Sequence, residues 1–220
     1  MRLSVVIPTL NAARALPATV DALGGVADEV VVADGGSADD TAAIAVGLGA
    51  RIVTTPRGRG AQLAAGVAAA RGDWLLLLHA DTRMDPAWAE VAQRHMRVCA
   101  EKAGYFRFAL DSADARARRL ERWVAWRCRV FALPYGDQGL LLPRALLDEL
   151  GGIRPLPLME DVDLVRRLGR GRLVALEAAA ITSATRWERD GWYRRSVRNL
   201  CCLTLYCAGV PPRLIARIYS

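Results

Sequence analysis

No stretch of this chain approaches the roughly 20 consecutive apolar residues that span a bilayer. Nor does a leader of basic and then apolar residues come before the first regular element, since Met1-Arg2 runs directly into the apolar stretch 3–7. These two absences lead to the expectation of a cytoplasmic protein whose membrane contact, if any, is peripheral and on the inner face. Cysteine is sparse and unpatterned. Cys99, Cys128, Cys201, Cys202 and Cys207 are odd in number and contain no CxxC pair, which reads as reduced thiols, mostly buried. The first apolar stretch is followed by Pro8-Thr9-Leu10-Asn11 and not by Gly-x-Gly-x-x-Gly, so the dinucleotide fingerprint of a Rossmann site is missing. No repeat or low-complexity tract interrupts the chain, and no nucleic-acid recognition motif accompanies its basic charge.

What the chain does have is apolar residues in quantity and in order. Its 220 residues, 53% of them hydrophobic, suffice for one α/β domain with a full core. The net charge of +7, from 30 basic and 23 acidic residues, points to an anionic partner without naming it. The near-continuous apolar runs 29–33 and 74–78 read as strands buried on both faces, hence as a parallel sheet covered by helices. Each run stops at an acidic motif, Asp34-Gly35-Gly36-Ser37-Ala38-Asp39 after the first and His79-Ala80-Asp81-Thr82 after the second. Ligands of such sheets bind outside the carboxyl ends of the strands. Carboxylates at that edge can hold a divalent cation or accept from a base or ribose, so the pair suggests a nucleotide with its metal. Taken singly, the first motif is also an ordinary turn, because Asp, Gly and Ser dominate turns on steric grounds.

Strands and helices alternate with short links through the first half. The reading is strand 3–7, helix 12–23 with Asn11 as its N-cap, strand 29–33, helix 40–48, strand 51–55, helix 63–70 and strand 74–78. Ahead of the third helix lies Arg57-Gly58-Arg59-Gly60-Ala61-Gln62, whose guanidinium groups and permissive backbone suit phosphate oxygens; Arg59 is the stronger candidate and Gln62 the weaker. Later, Gly136-Asp137-Gln138-Gly139 precedes the apolar strand 140–142, and Glu160-Asp161 opens a helix over 162–168.

Three segments, Val5-Val6-Ile7-Pro8-Thr9-Leu10-Asn11, Val31-Val32-Ala33-Asp34-Gly35-Gly36-Ser37-Ala38-Asp39-Asp40-Thr41 and Leu77-Leu78-His79-Ala80-Asp81-Thr82, together resemble the family 2 glycosyltransferases. Gly136-Asp137-Gln138 and Pro157-Leu158-Met159-Glu160-Asp161-Val162-Asp163-Leu164 further resemble a bacterial subgroup labelled arsenosugar-biosynthesis-like. The similarity covers nearly the whole chain in the right order. It implies the GT-A fold, a Rossmann-like α/β arrangement with a mixed, mostly parallel sheet flanked by helices and with C-terminal helices added. One domain, 1–220, would comprise a nucleotide-sugar half at 1–110, an acceptor half at 111–186 and basic helices at 187–220.

The resemblance also assigns roles. Asp34 would contact the nucleobase in a pocket completed by Pro8, Thr9, Asn11 and Gly35. Asp81, with Ala80 beside it, would be the last acid of the family's DxD motif and bind Mg²⁺ or Mn²⁺ on the diphosphate. His79 stands where the first acid belongs, which leaves one carboxylate; an imidazole ligand favours Mn²⁺, and a hydrogen bond to backbone is the competing role. Asp161 would be the general base that takes the acceptor proton, with Glu160 in support, while Gly136, Asp137 and Gln138 line the acceptor side. Acids in the first turn of a helix are also the commonest dipole arrangement. The implied activity is metal-dependent, inverting, hexosyltransferase-like transfer from a nucleoside-diphosphate sugar to a hydroxyl acceptor. The alternative is a non-catalytic protein that binds nucleotide or a membrane surface and has lost the full DxD motif. A nucleotidyltransferase would need a Gly-rich triphosphate loop near its N-terminus, and none is present.

Two segments mix arginine with aromatics. Residues 116–129 read as a helix carrying Arg116, Arg118, Arg119, Arg122, Arg127 and Arg129 with Trp123 and Trp126, and 187–220 as a helix near 191–207 and a shorter one from Pro212. Basic helices with Trp fit an anionic membrane surface, where a lipid-linked acceptor would reside. They fit equally a packed helix with a solvated arginine face.

Overall fold

In the computed structural model, which describes residues 1–219, the apolar runs form the middle of one eight-stranded sheet of order β3-β2-β1-β4-β7-β6-β8-β5. Strands β1 (Leu3–Thr9), β2 (Glu29–Asp34), β3 (Arg51–Thr54) and β4 (Trp74–Leu77) run parallel, with Thr9 beside Asp34 and Val6 beside Leu77. Strand β7 (Leu140–Pro143) is antiparallel to β4 and to β6 (Ala103–Leu110). Strand β8 (Leu173–Thr182) is parallel to β6 and carries the short β5 (Thr82–Met84) antiparallel at the edge. Strands β1 and β4 are buried along their whole length, as strands covered on both faces must be. One core layer packs Leu16, Trp88 and Met96 on one face of the sheet, and a second packs Leu63, Leu147 and Leu164 on the other.

The helices are α1 (Leu16–Asp21), α2 (Thr41–Gly47), α3 (Arg59–Ala69), α4 (Trp88–Val98), α5 (Ala115–Phe131), α6 (Arg144–Glu149), α7 (Glu160–Leu168), α8 (Thr185–Asp190), α9 (Trp192–Cys207) and α10 (Pro212–Tyr219). Two of the early helices begin elsewhere than expected. Helix α1 starts at Leu16, after an irregular turn at 12–15, which places Pro17 in its first turn, where a missing N–H leaves no helical hydrogen bond unmade. Asn11 is therefore not its N-cap. With φ near +52° it ties the β1 end to the loop after β2, donating its N–H to Ser37 Oγ at 2.8 Å and accepting Ala38 N–H at 2.8 Å. Helix α3 starts four residues earlier than the apolar pattern indicated, with Gly58 at its N-cap, so Arg59 lies in its first turn. Gly60 permits that start: a Cβ there would stand 2.6 Å from Leu156 N and 2.8 Å from Arg154 O.

The thiols are free, as expected, but only Cys128 and Cys202 are buried, while Cys201 and Cys207 are exposed. In the second basic-aromatic segment Trp187 and Trp192 stack on each other inside a core cluster with Phe108 and Val124, as the packed-helix alternative expects. On α5, by contrast, Trp123, Trp126 and Phe131 remain on the surface in edge-on contact, at 53%, 42% and 54% exposure. No helix of the described residues is long and apolar enough to cross a membrane.

Candidate active site

The carboxyl ends of β1, β2 and β4 form the floor of a cleft, and polar side chains are spent there on holding the strand ends together. Asp34 is buried and accepts from Thr9 Oγ1 at 2.8 Å, Ser37 N–H at 2.8 Å, Ser37 Oγ at 2.5 Å and Gly36 N–H at 3.1 Å. Burial alone would raise its pKa, but the donors of Ser37, Thr9 and Gly36 outweigh it and hold the carboxyl below its ordinary value of 3.8. Gln62, also buried, donates through Nε2 to Thr9 O at 2.6 Å and Ala33 O at 2.9 Å. Gly35 lets that amide approach, since a Cβ there would lie 3.0 Å from it. Asp34, Gly35 and Gln62 thus stitch β1 to β2 beneath the cleft.

Above this floor a cleft of about 330 Å³ is lined by Pro8, Thr9, Asn11, Arg59, Ala80 and Asp81, and also by Arg57 and Gln62. A smaller pocket of about 120 Å³ adjoins it and contains Asp137 and Asp161. Arg59, His79, Asp81 and Arg186 line both and mark the place where the two meet. The sequence reading missed Arg186, which has no motif around it. It arrives through strand pairing: β8 runs antiparallel to β5, Ser183 N–H donates to Asp81 O at 3.0 Å, and the first turn of α8 brings the Arg186 guanidinium 3.8 Å from the Asp81 carboxylate.

Helix α7 supplies the acidic pair. Met159, at φ near +65°, turns the chain sharply into it, so Glu160 and Asp161 occupy its first turn. Arg59 Nε donates to the buried Glu160 Oε1, and its Nη2 lies 3.5 Å from Asp161 Oδ2. Burial would weaken the Arg59 proton's hold, but the charges of Glu160 and Asp161 reverse this and raise its pKa further. Burial pushes Glu160 above its ordinary value against the pull of Arg59. Asp161 accepts from Gly136 N–H at 2.9 Å and Val162 N–H at 2.8 Å. Although burial opposes it, Arg59 and these two N–H groups hold Asp161 below the usual carboxylate range. Gly136 leaves room for both side chains, because a Cβ there would lie 2.7 Å from His79 Nε2 and 3.3 Å from Asp161 Oδ2 and would displace them. Burial, helped by the Arg59 charge, pushes His79 down to about 4, so its imidazole is neutral.

The 136–138 turn divides its candidates. Gln138 is turned inward, donating to Phe106 O at 3.1 Å and accepting Tyr135 N–H at 3.2 Å. Asp137 stays in the pocket, pushed up to about 6 by burial despite the nearby Arg127 charge. No cluster of three or more His, Cys, Asp or Glu that could hold a metal alone occurs among the described residues. Asp81 and the neutral His79 nevertheless fit a cation that takes its remaining ligands from a diphosphate, the usual way Mg²⁺ is bound on nucleotides.

The glycosyl transferase family 2 profile matches residues 4–143, which include every strand and loop of the cleft floor. The chain belongs to glycosyl transferase family 2. An uncharacterized glycosyltransferase of Mycobacterium tuberculosis is 40% identical over 83 residues, covering 37% of this chain and 38% of that protein. The glucosyl-3-phosphoglycerate synthase of Mycolicibacterium paratuberculosis is 34% identical over 92 residues, 36% of this chain and 28% of that protein. The match thus spans about a third of each curated relative's length. In fold, the family 2 chain is similar to the glucosyl-3-phosphoglycerate synthase of M. tuberculosis, solved with Mn²⁺ and UDP-glucose. The TM-score is 0.65 at 20% identity, over 96% of this chain and 80% of that one. The Glu160-Asp161 pair lies beyond the matched residues 4–143, so the family match does not bear on its role.

Asp34 gives a direct test of the floor. Its folded pKa lies below 3.8, so its contribution to stability is complete above the unfolded value and is lost as pH falls through the folded one. Asp34→Asn should lower unfolding free energy at pH 7 by about 1–3 kcal/mol, and the gap to wild type should close as pH drops below about 4. Urea titrations at a series of pH values measure this; a gap that persists undiminished at acid pH would show that the charge contributes nothing.

Proposed function

We propose that this chain transfers a hexosyl group from a nucleoside-diphosphate sugar to a hydroxyl acceptor, with inversion at the anomeric carbon. The observation that carries the reading is the junction of two cavities at Arg59, His79, Asp81 and Arg186, with Asp161 at hand on the side of the smaller one. The nucleoside would lie in the larger cleft over Pro8, Thr9 and Asn11, above the floor closed by Asp34. The diphosphate would reach the arginines, whose guanidinium groups suit phosphate oxygens. UDP-glucose and Mn²⁺ in the structurally similar M. tuberculosis synthase make UDP the first nucleotide to try. The segments around Gly136 and Glu160 support placement in the arsenosugar-biosynthesis-like subgroup.

In the transfer, the acceptor oxygen forms its bond to the anomeric carbon while the bond from that carbon to the diphosphate oxygen breaks. The electron pair leaves with the diphosphate, and the hydroxyl proton passes to Asp161. A carboxylate held below its usual pKa can do this because the hydroxyl becomes acidic only as its new bond forms. Arg59 and Arg186 stabilise charge on the leaving group by position. Asp81, with His79 as second donor, would hold a divalent metal, which when bound neutralises diphosphate charge. Glu160 keeps Arg59 in place from below. With one carboxylate where the family has two, the non-catalytic alternative is decided by turnover.

Two substitutions test the roles separately. Asp161→Asn, which relieves Arg59 of one competing carboxylate, should not weaken UDP binding and should lower transfer by roughly 10² to 10⁴; turnover at the wild-type rate would remove the assignment. For Asp81→Ala, calorimetry should show UDP affinity that no longer responds to Mn²⁺ in a protein of native melting temperature. In wild type, UDP at 100 times its Kd should add about 2.7 kcal/mol of stability, and a Mn²⁺ response retained in the variant would place the cation elsewhere.

We further propose that α5 brings the enzyme to an anionic membrane surface, because Arg119, Arg122 and Arg129 are exposed beside Trp123, Trp126 and Phe131. Basic residues near such a surface contribute about 1 kcal/mol each and are screened by salt. Co-sedimentation with anionic vesicles should therefore be strong at low salt and weak at high salt. Equal binding to neutral vesicles, or none to anionic ones, would return α5 to a solvated helix face.

A further inference from the structure

One large cavity has no task in the transfer as described. Between α5 and α9 runs a groove of about 490 Å³, within the roughly 300–1,000 Å³ of ligand pockets. Its walls are apolar, built by Leu120, Trp123, Val124 and Phe131 on one side and Leu200 and Leu203 on the other. Trp123, Phe131 and Leu200 are each more than half exposed, so the groove opens to the surface along this side. Its inner end opens on the catalytic pocket, since Tyr135, Asp137, Trp187 and Asn199 line both. At that neck Asp137 Oδ1 and Asn199 Oδ1 are buried and make no hydrogen bond among the described residues. A buried acceptor without a donor costs about 1–3 kcal/mol, so the neck suits a ligand that brings hydroxyl donors. An entirely apolar ligand would leave both oxygens unpaired, and an entirely polar one would leave the groove walls against water.

We propose that the groove holds the aliphatic chain of an amphiphilic acceptor whose hydroxyl head sits at the neck, between Asp137, Asn199 and Asp161. This rests on the glycosyl-transfer reading and names the acceptor class for it. The arginines exposed on α5, Arg119, Arg122 and Arg129, complement an anionic leaflet, which makes a bilayer lipid the occupant.

The test titrates hexyl, octyl and decyl β-glucosides below their micelle concentrations by calorimetry, with the groove lined by Trp123 and Trp187 as the expected site. UDP with Mn²⁺ is titrated separately by calorimetry. Affinity should rise about threefold to fourfold per methylene, as expected for chain burial. Thr204→Trp, which fills the groove from an exposed position, should weaken decyl glucoside at least tenfold, by the same scale of buried area, without changing UDP binding. Val130→Ser, on the outer side of α5 and away from the groove, should change neither. Affinity independent of chain length, or undiminished in Thr204→Trp, or lost in Val130→Ser, overturns the groove as the chain's site. If UDP fails to bind while the chain-length series holds, the transfer reading falls and the groove keeps its aliphatic ligand; the reverse pattern overturns the groove alone.

Discussion

Arg59 projects from the first turn of α3 between two carboxylates in the first turn of α7, about a hundred residues further along the chain. Glu160 is almost wholly buried, and its second oxygen has no hydrogen-bond partner among the described residues, so Arg59 carries the compensation of its charge. A buried carboxylate deprived of its cation is strongly destabilising, on the order of several kcal/mol. The ion pair therefore fixes how the segment after β3 lies against the segment that brings Asp161. It also sets the state of Asp161, because Arg59 is the largest of the influences that hold its carboxyl below its ordinary pKa. A diphosphate drawn to Arg59 would compete for the same guanidinium, so the two cavities that meet there are electrostatically coupled.

The polar residues at the sheet edge fall into two groups by what they already bind. Asp34, Gln62 and Gln138 have their hydrogen bonds satisfied by Thr9, Ser37, Ala33, Phe106 and Tyr135. They build the frame. Asp81 and Asp137 line the cavities, Asp81 with Arg186 3.8 Å away and Asp137 with a buried oxygen that has no hydrogen-bond partner among the described residues. Groups left in this condition are costly to the fold, and the cost is recovered when a ligand supplies the missing donors or cation.

How much of this was legible in the sequence depended on whether the signal was local. Strands β1, β2 and β4 announced themselves as apolar runs, and their ends at Thr9, Asp34 and Leu77 fall within two residues of the expected boundaries. Arg59, Asp161 and Gly136 could be singled out, but not the ion pair or the N–H to carboxylate bond that joins them across the fold. Strand β8 gave no such signal, since its Ala-rich run has little β-propensity of its own and is held by β6 and β5. Arg186 was invisible for the same reason, because its place beside Asp81 follows from that pairing. The start of α3 at Arg59 was hidden by Gly58 and Gly60, which read as loop; Gly60 here serves close packing against residues 154–156.

The basic charge illustrates the limit of composition as a guide to partners. Many arginines are occupied with the chain's own carbonyls. Arg144 donates to Ala70 O at 2.7 Å, Gly72 O at 2.8 Å and Val67 O at 3.2 Å, closing the C-terminal end of α3. Arg167 does the same for α6 through Leu150 O at 2.7 Å and Gly152 O at 2.9 Å, and Arg170 for α5 through Arg129 O and Val130 O. Guanidinium groups suit this work because they present several donors in one plane to oxygens that a helix end leaves unpaired. A net charge of +7 is therefore not seven free cations awaiting an anion. The cations the fold places at the cavity junction are Arg59 and Arg186, and both already face a carboxylate there. On the proposed reading, recognition at this site would be an exchange of partners between carboxylates and diphosphate, not a simple attraction to a basic surface.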